Sequence, residues 1–301
     1  MKDSRVESSK LICASLCLCM SESLPPQFAG FPSTLESLIA IAVGNTRTRV
    51  GVVQGTECAK AKSVATNDPD QVASFVHALF DEFEFSSDEP VILVSTVSAP
   101  AADAIEEAIH SKFGWSSYRF GRELQIPIRH TLTESGEETV GQDRLLCAIG
   151  AFDVVKQACV VVDMGTAITA DFVDGEGVFH GGAILPGVST MLESLSASTA
   201  HLPELKYRKL DPTSHEPGKQ TDDAIILGVT AAAHGAIRFL AERYAQFYEG
   251  YPQIIATGGD MGLLEDDELI ESFVPDLQLH GIRVACGMII ESDHEDDELD
   301  D

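Results

Sequence analysis

Apolar residues in this chain form short continuous runs and longer periodic ones, and the two kinds follow each other in the same order twice. Runs at 38–43 and 49–53 are apolar enough for buried strands, and a third strand is predicted around Ala59 to Val64. From Asp68 to Phe83 the period lengthens: Val72, Phe75, Val76, Leu79 and Phe80 share one side of a helix. Pro90 to Val97 is again β-rich, Ala99 to Phe113 is helical, and Gly141 to Val155 predicts a third helix. The second half starts with strand-like runs at 158–163 and 168–173, a turn at Asp174-Gly175-Glu176-Gly177, and a strand from Val178 to Leu185. A helix follows Pro186-Gly187 and ends before Pro203, a long one covers Thr221 to Tyr248, and Gln253 to Ala256 is a short strand. Three strands and then alternating helices and strands, twice over, predict an α/β protein of two similar halves.

The first two strands of each half are joined by a small turn. These turns are Val43-Gly44-Asn45-Thr46 and Met164-Gly165-Thr166-Ala167. A buried strand that ends this way gathers backbone N–H groups and a hydroxyl at one point. Glycine lets an anion approach the main chain with no Cβ in the way. One such cradle is weak evidence; one in each half suggests a fold that clasps a polyphosphate between its copies. Thr257-Gly258-Gly259 ends the last predicted strand and adds a third close-approach loop, suited to a nucleoside or its ribose.

With 301 residues the chain has room for two domains. Its formal charge is −28, from 48 acids against 20 Lys and Arg. Eight of those acids lie between Glu291 and Asp301 and predict a solvated, disordered tail, but the rest of the chain is acidic too. That argues against a nucleic-acid partner, which needs a basic face. The seven cysteines have no metal-ligand spacing; Cys147, Cys159 and Cys286 read as reduced core residues, which fits a cytoplasmic setting. Residues 1–37 read as a leader and linker. Leu11 to Met20 mildly resembles a signal peptide but is short and lacks a convincing cleavage site. No stretch reads as long and apolar enough to cross a membrane.

Phosphoryl transfer needs a phosphate cradle, a cation and a base near the acceptor hydroxyl. Asp163 ends a buried strand, where a carboxylate is costly unless it meets a cation or polar donors. Between that role and a turn-capping Asp, the paired turns favour the first. Gly141-Gln142-Asp143-Arg144 opens a helix. Asp143 and Arg144 are adjacent and cannot face each other as a helical ion pair. They fit a base and an anion-binding guanidinium in a cleft. They fit equally a helix-start acid beside a surface Arg, which spacing alone slightly favours. His180 and His234 lack partners at ligand spacing and read as structural, and Thr221 reads as a helix N-cap.

Taken in order, several segments resemble type III pantothenate kinases, members of the acetate kinase, sugar kinase, heat-shock chaperone and actin superfamily. They are Val43 to Thr46, Val140 to Arg144, Val162 to Ala167, Gly181 to Gly187, Thr221, Ala256 to Gly259, and Pro275-Asp276-Leu277 with Gly281. The resemblance covers roughly Leu38 to Arg283. It implies two ribonuclease H-like halves in an actin-like ATPase architecture, 38–155 and 156–290, with a nucleotide cleft between them and an acidic tail at 291–301. By likeness, Asp143 is the general base that activates a pantothenate hydroxyl. Gly141, Gln142, Arg144 and Thr221 bind that substrate, with Thr221 near a homodimer interface, and Arg144 suits its carboxylate. Val43, Gly44, Asn45, Thr46, Arg47, Thr48 and Arg49 form the first ATP loop, joined by Thr166, Gly258 and Gly259. Asp163 holds a monovalent cation, K+ or NH4+, and ATP arrives with Mg2+.

The chain departs from the family pattern in three places. Ala42 stands where the family has an Asp that helps place Mg2+. Cys147 replaces a usual Asn. No aromatic between Arg129 and Val140 matches the family's substrate-side ring. Three readings follow: an ATP-dependent pantothenate kinase, the first step of coenzyme A biosynthesis; a catalytically impaired or regulatory relative that keeps the nucleotide site; and another phosphotransferase or phosphatase of the superfamily. Asp143, Arg144, Asp163 and Thr221 favour the first, and Ala42 favours the second.

Overall fold

The first apolar run becomes the central strand of a five-stranded sheet. In the computed structural model, which describes residues 37–55, 57–211 and 215–297, β1 (Ser37–Val43), β2 (Arg47–Gln54) and β3 (Glu57–Ala65) form an antiparallel meander. β4 (Ile92–Thr96) and β5 (Tyr118–Arg119) add parallel to β1, giving the order β3-β2-β1-β4-β5. Helices α1 (Pro69–Glu82) and α2 (Ala99–Phe113) cover one face. There Ile39, Ile41 and Val43 pack with Val50, Val52, Val72, Val76, Leu79, Ile105 and Ile109. The period of two in β1 thus meets the period of 3.6 in α1. Asp68 caps α1 by accepting from the Gln71 N–H, and Gly114 ends α2 in the left-handed conformation that favours glycine.

α3 (Glu134–Thr139) and α4 (Gln142–Val155) lead into the second sheet. Here β6 (Cys159–Met164), β7 (Ala167–Val173) and β8 (Phe179–Pro186) form the meander. β9 (Gln253–Thr257) and β10 (Ser272–Phe273) add in parallel, in the order β8-β7-β6-β9-β10. Between β8 and β9 come α5 (Val188–Ser198) and α6 (Thr221–Tyr248), and α7 (Leu277–Asp297) follows β10. The two sheets share one strand order and one set of directions, the repeated ribonuclease H-like topology of the actin-like fold. The two-residue strands β5 and β10, and the single turn and a half of α3, are too short for periodicity to reveal.

α4 lies in the first half of the sequence but packs mainly on the second sheet, where Leu145, Cys147, Ala148 and Ala151 join Cys159, Val161, Val173 and Phe179. It crosses α7 at glycines. A Cβ on Gly150 would sit 2.8 Å from the Leu277 carbonyl oxygen, and one on Gly281 would overlap the Leu146 carbonyl. The start of α7 touches the first sheet in turn: Gln278 Nε2 donates to Ser95 Oγ at 2.9 Å, and Arg49 pairs with Asp276.

Two expectations change. α6 does have the length and composition of a membrane span. Its charges gather towards its two ends, which leaves an almost uncharged middle, yet Ile225, Ile226, Val229, Ala233, Ile237 and Ala241 lie in the core of the second sheet. The backbone of α7 continues to Asp297, into the expected acidic tail, because extending a helix already begun in the apolar stretch before Glu291 costs far less than starting one. Of the expected leader at 1–37, residues 1–36 lie outside the described residues, as do the last four residues of the chain, while Ser37 opens β1. Cys147, Cys159 and Cys286 are buried free thiols, and burial pushes those of Cys159 and Cys286 up to about 12.

Candidate active site

The β1–β2 turn is held shut by its own backbone. Gly44 N–H donates to the Arg47 carbonyl at 3.1 Å, and a Cβ on Gly44 would sit 2.7 Å from that same oxygen, so only glycine closes the turn. Thr66 Oγ1 donates to the Gly44 carbonyl at 3.0 Å and meets Thr48 Oγ1 at 3.0 Å. Of the expected ATP loop, Asn45, Thr46 and Arg47 are exposed, and Arg47 Nε donates to Ser63 Oγ. Val43 and Thr48 are buried, so they shape the loop and do not present side chains to a ligand. Arg49 is turned to Asp276.

The β6–β7 turn is built the same way, with Gly165 N–H donating to the Ala167 carbonyl at 3.0 Å. α5 starts on top of it: Gly187 N–H and Thr190 Oγ1 both donate to the Thr166 carbonyl, at 2.9 and 2.8 Å. A Cβ on Gly187 would overlap the Gly165 carbonyl and lie 2.6 Å from that of Thr166. The Thr257-Gly258-Gly259 loop closes over the end of β6, where Asp260 N–H donates to the Met164 carbonyl at 2.9 Å. Gly258 has φ +91°, and a Cβ there would meet Met164 backbone atoms at 2.5 and 2.6 Å and overlap Asp163 Oδ1. Gly259 faces open space.

Between these loops stands the start of α4. Gln142 uses its whole amide as an anchor: Oε1 accepts from Thr96 N–H at 3.1 Å and Nε2 donates to the Phe120 carbonyl at 2.7 Å. Its neighbour Val97 donates N–H to the Val43 carbonyl at 3.1 Å, which ties the first turn to the same strand ends. Asp143 follows, largely desolvated, with Oδ1 accepting from Arg144 N–H at 2.9 Å. Its carboxylate lies so close over Gly141 that a Cβ there would overlap Oδ1, which explains the glycine two residues before the acid. Burial holds the Asp143 pKa above the ordinary carboxylate value, the direction that makes a carboxylate a better base near neutrality. Arg144 turns away from Asp143 and pairs with Asp171, which is fully buried in β7. The guanidinium carbon also stands 5.7 Å from the centre of the Phe179 ring.

Asp163 completes the group. Among the described residues no hydrogen bond or ion pair reaches its carboxylate, and its pKa is pushed up to about 7 by burial and by the charges of Asp143 and Asp171. A half-buried carboxylate without donors, close enough to two other acids to feel their charge, is stabilised by a cation. The structure thus brings Gly141, Gln142, Asp143, Arg144, Asp163, the Gly165-Thr166 turn and Gly258 together.

The match to known proteins decides the family. A model of type III pantothenate kinases matches residues 38–243. The chain belongs to the type III pantothenate kinase family. It is 32% identical over 260 residues to the type III pantothenate kinase of Syntrophotalea carbinolica, covering 82% of this chain and 97% of that one. It is 31% identical to that of Rhodopirellula baltica, covering 80% and 98%. Among solved structures, component A of the Acidaminococcus fermentans (R)-2-hydroxyglutaryl-CoA dehydratase shares the fold at 14% identity with a TM-score of 0.50, over 86% of this chain and 99% of that one.

Against the family pattern, Ala42 is buried in β1, paired with Arg49 on one side and Ser95 on the other. Among the described residues no three His, Cys, Asp or Glu side chains cluster as a metal site. Thr221 stands apart. It is exposed in the first turn of α6 and is not its cap; the helix starts one residue earlier, with Ala224 N–H donating to the Gln220 carbonyl. His180 and His234 do have partners, Asp174 and Asp267, each at 2.8 Å. Turn geometry that spacing does not reveal brings them together. Two residues of the site escaped the sequence reading, Asp171 and Phe179, and Gly187 was read only within the Gly181 to Gly187 segment, with no role in the site. Asp171 lies two residues after Thr169 in an otherwise apolar strand, where a lone acid is a visible anomaly.

Proposed function

We propose that this chain phosphorylates pantothenate with ATP, giving 4'-phosphopantothenate at the entry to coenzyme A biosynthesis. The observation that carries this reading is that Asp143 lies close enough to Asp163 to raise its pKa, with Asp163 set against the Gly165 and Gly258 loops, within a chain of this family. ATP supplies the transferred phosphoryl group together with its Mg2+. The Gly44 and Gly165 turns, in the two halves, face that nucleotide with N–H groups, and Gly259, beside open space, leaves room for its nucleoside. Asp143, deprotonated, takes the proton of the acceptor hydroxyl, and its desolvation keeps its basicity high. Arg144 receives the substrate carboxylate. Asp163 holds a monovalent cation, K+ or NH4+, which relieves its repulsion with Asp143 and Asp171.

Position 42 offers Mg2+ no carboxylate, so the nucleotide phosphates and water would have to hold it. Mg2+ keeps several waters even in well-formed sites, so this slows the reaction without abolishing it. The enzyme is a cytoplasmic homodimer in this reading. α6 exposes Ala224, Leu227, Gly228, Ala231, Gly235 and Phe239, an apolar surface for a second copy, and Thr221 meets the substrate from there. A coupled assay of ATP consumption tests the function. Turnover should require pantothenate and be faster in potassium than in sodium. ATP consumption indifferent to pantothenate refutes it.

A further inference from the structure

Asp171 belongs to no part of the reaction described so far, yet the fold is built around its carboxylate. It sits on β7 directly opposite Gly182 of β8, and a Cβ at 182 would overlap Asp171 Oδ1. Such a Cβ would also overlap the Ala170 carbonyl oxygen, so the glycine makes room for both the β7 backbone and the carboxylate. Thr169 hydrogen-bonds it from the same strand. The side chain is 2% exposed, and its charged partner is Arg144.

The geometry of that pair is specific. Arg144 Nε lies 3.1 Å from both Asp171 oxygens, and Nη2 also donates to Oδ1. A guanidinium has five N–H donors in a rigid plane. Pairing along the Nε side uses Nε–H and one N–H of Nη2. The opposite edge, the two N–H groups of Nη1 and the remaining one of Nη2, stays available as a second two-pronged donor. Phe179 lies 5.7 Å from the guanidinium carbon and supports the plane. The pairing also keeps Arg144 from forming a direct side-chain ion pair with Asp143, although its charge still lowers the Asp143 pKa against the effect of burial.

We infer that Asp171 is a positioning residue for substrate recognition: it fixes Arg144 side-on so that its free edge accepts the substrate carboxylate. This rests on the kinase reading above. The step involves no covalent change; one carboxylate sets the plane and the other occupies it.

The test compares two substrates, pantothenate and the neutral analogue with a primary alcohol in place of the carboxylate. Wild type should prefer pantothenate in kcat/KM. D171N keeps shape and a hydrogen-bond acceptor but loses the charge that fixes the plane. It should lose about ten- to a hundred-fold of that preference, mostly through the KM for pantothenate, with the KM for ATP unchanged. In an R144Q background, D171N should change the preference no further. If the preference survives in D171N, or if D171N lowers both substrates and ATP alike, Asp171 is only a packing residue and the inference fails. Should D171N not fold, R144K answers the same question. Lysine keeps the charge but cannot pair with Asp171 and present a second edge, so retained preference in R144K overturns the inference. A wild type that phosphorylates neither compound ends the kinase reading itself, whatever the variants do.

Discussion

Two adjacent glycines in the β9 loop offer a controlled comparison. Gly258 has φ +91° and no room for a Cβ; Gly259 has a conformation open to other residues and empty space beside it. Gly258→Ala forces an L-residue into left-handed backbone, at about 1–2 kcal/mol. It also drives a methyl into the Met164 backbone and Asp163, adding about 1–3 kcal/mol of overpacking. The sum, roughly 2–5 kcal/mol, lowers the melting temperature by roughly 5–15 °C in a chain of this size. Gly259→Ala should be neutral or gain about 0.4–1 kcal/mol by restricting the unfolded chain. The damage in the first variant also falls on Asp163, so its activation by potassium should weaken while the second variant keeps it. Melting curves and a potassium titration of ATP turnover on both variants are the measurements. Equal melting temperatures, or a Gly258→Ala enzyme with wild-type potassium response, would refute the link between this loop and Asp163.

Asp143→Asn should lower turnover by ~10²–10⁴-fold while leaving nucleotide affinity nearly intact; turnover close to wild type would place the base elsewhere. Ala42→Asp, set beside Arg49 and Ser95, should raise turnover roughly ten- to a hundred-fold and lower the Mg2+ requirement, and a Mg2+ titration that shows neither counts against water-held Mg2+. Asp163, at about 7 in the fold and near 4 when unfolded, binds a proton more tightly in the native state across that interval. Its contribution to stability is therefore fully present below about pH 4 and lost as pH rises through 7. In a bulky organic cation the melting temperature should fall from pH 5 to pH 8 more steeply than in Asp163→Asn, and identical slopes would dismiss the effect. Sedimentation should show a dimer that Leu227→Glu with Phe239→Glu breaks to monomers without unfolding; a wild-type monomer at every concentration would remove the interface.

The repeated strand order was legible because a buried strand leaves a continuous apolar run, and six of the ten strands do so. Tyr118-Arg119 and Ser272-Phe273 did not show, since two residues carry no period and their pairing is set by the strand beside them. Within the site, the glycine turns and the Asp143 segment were readable because each needs a particular residue type at a fixed offset along the chain. The partner of Arg144 was not, because Asp171 is 27 residues away and meets it only through the β7–β8 register. Likeness to the family supplied roles for Gln142 and Thr48 as ligand contacts. Their side chains turn out to hold Thr96, Phe120 and Thr66.

Gln142 fastens the first residue of α4 to one sheet, and Leu145 begins its seat in the other. Only Asp143 and Arg144 lie between the two moorings. A hinge movement of the sheets against each other would strain that turn, together with the Gln278–Ser95 and Arg49–Asp276 ties, and the turn carries the proposed proton acceptor and carboxylate receptor. In the proposed kinase, a pair carried on this turn would work as a coincidence detector, aligned at one closure angle of the sheets and spoiled at others. ATP bound to an open enzyme would then face a misaligned base, which would restrain hydrolysis until the acceptor is in place.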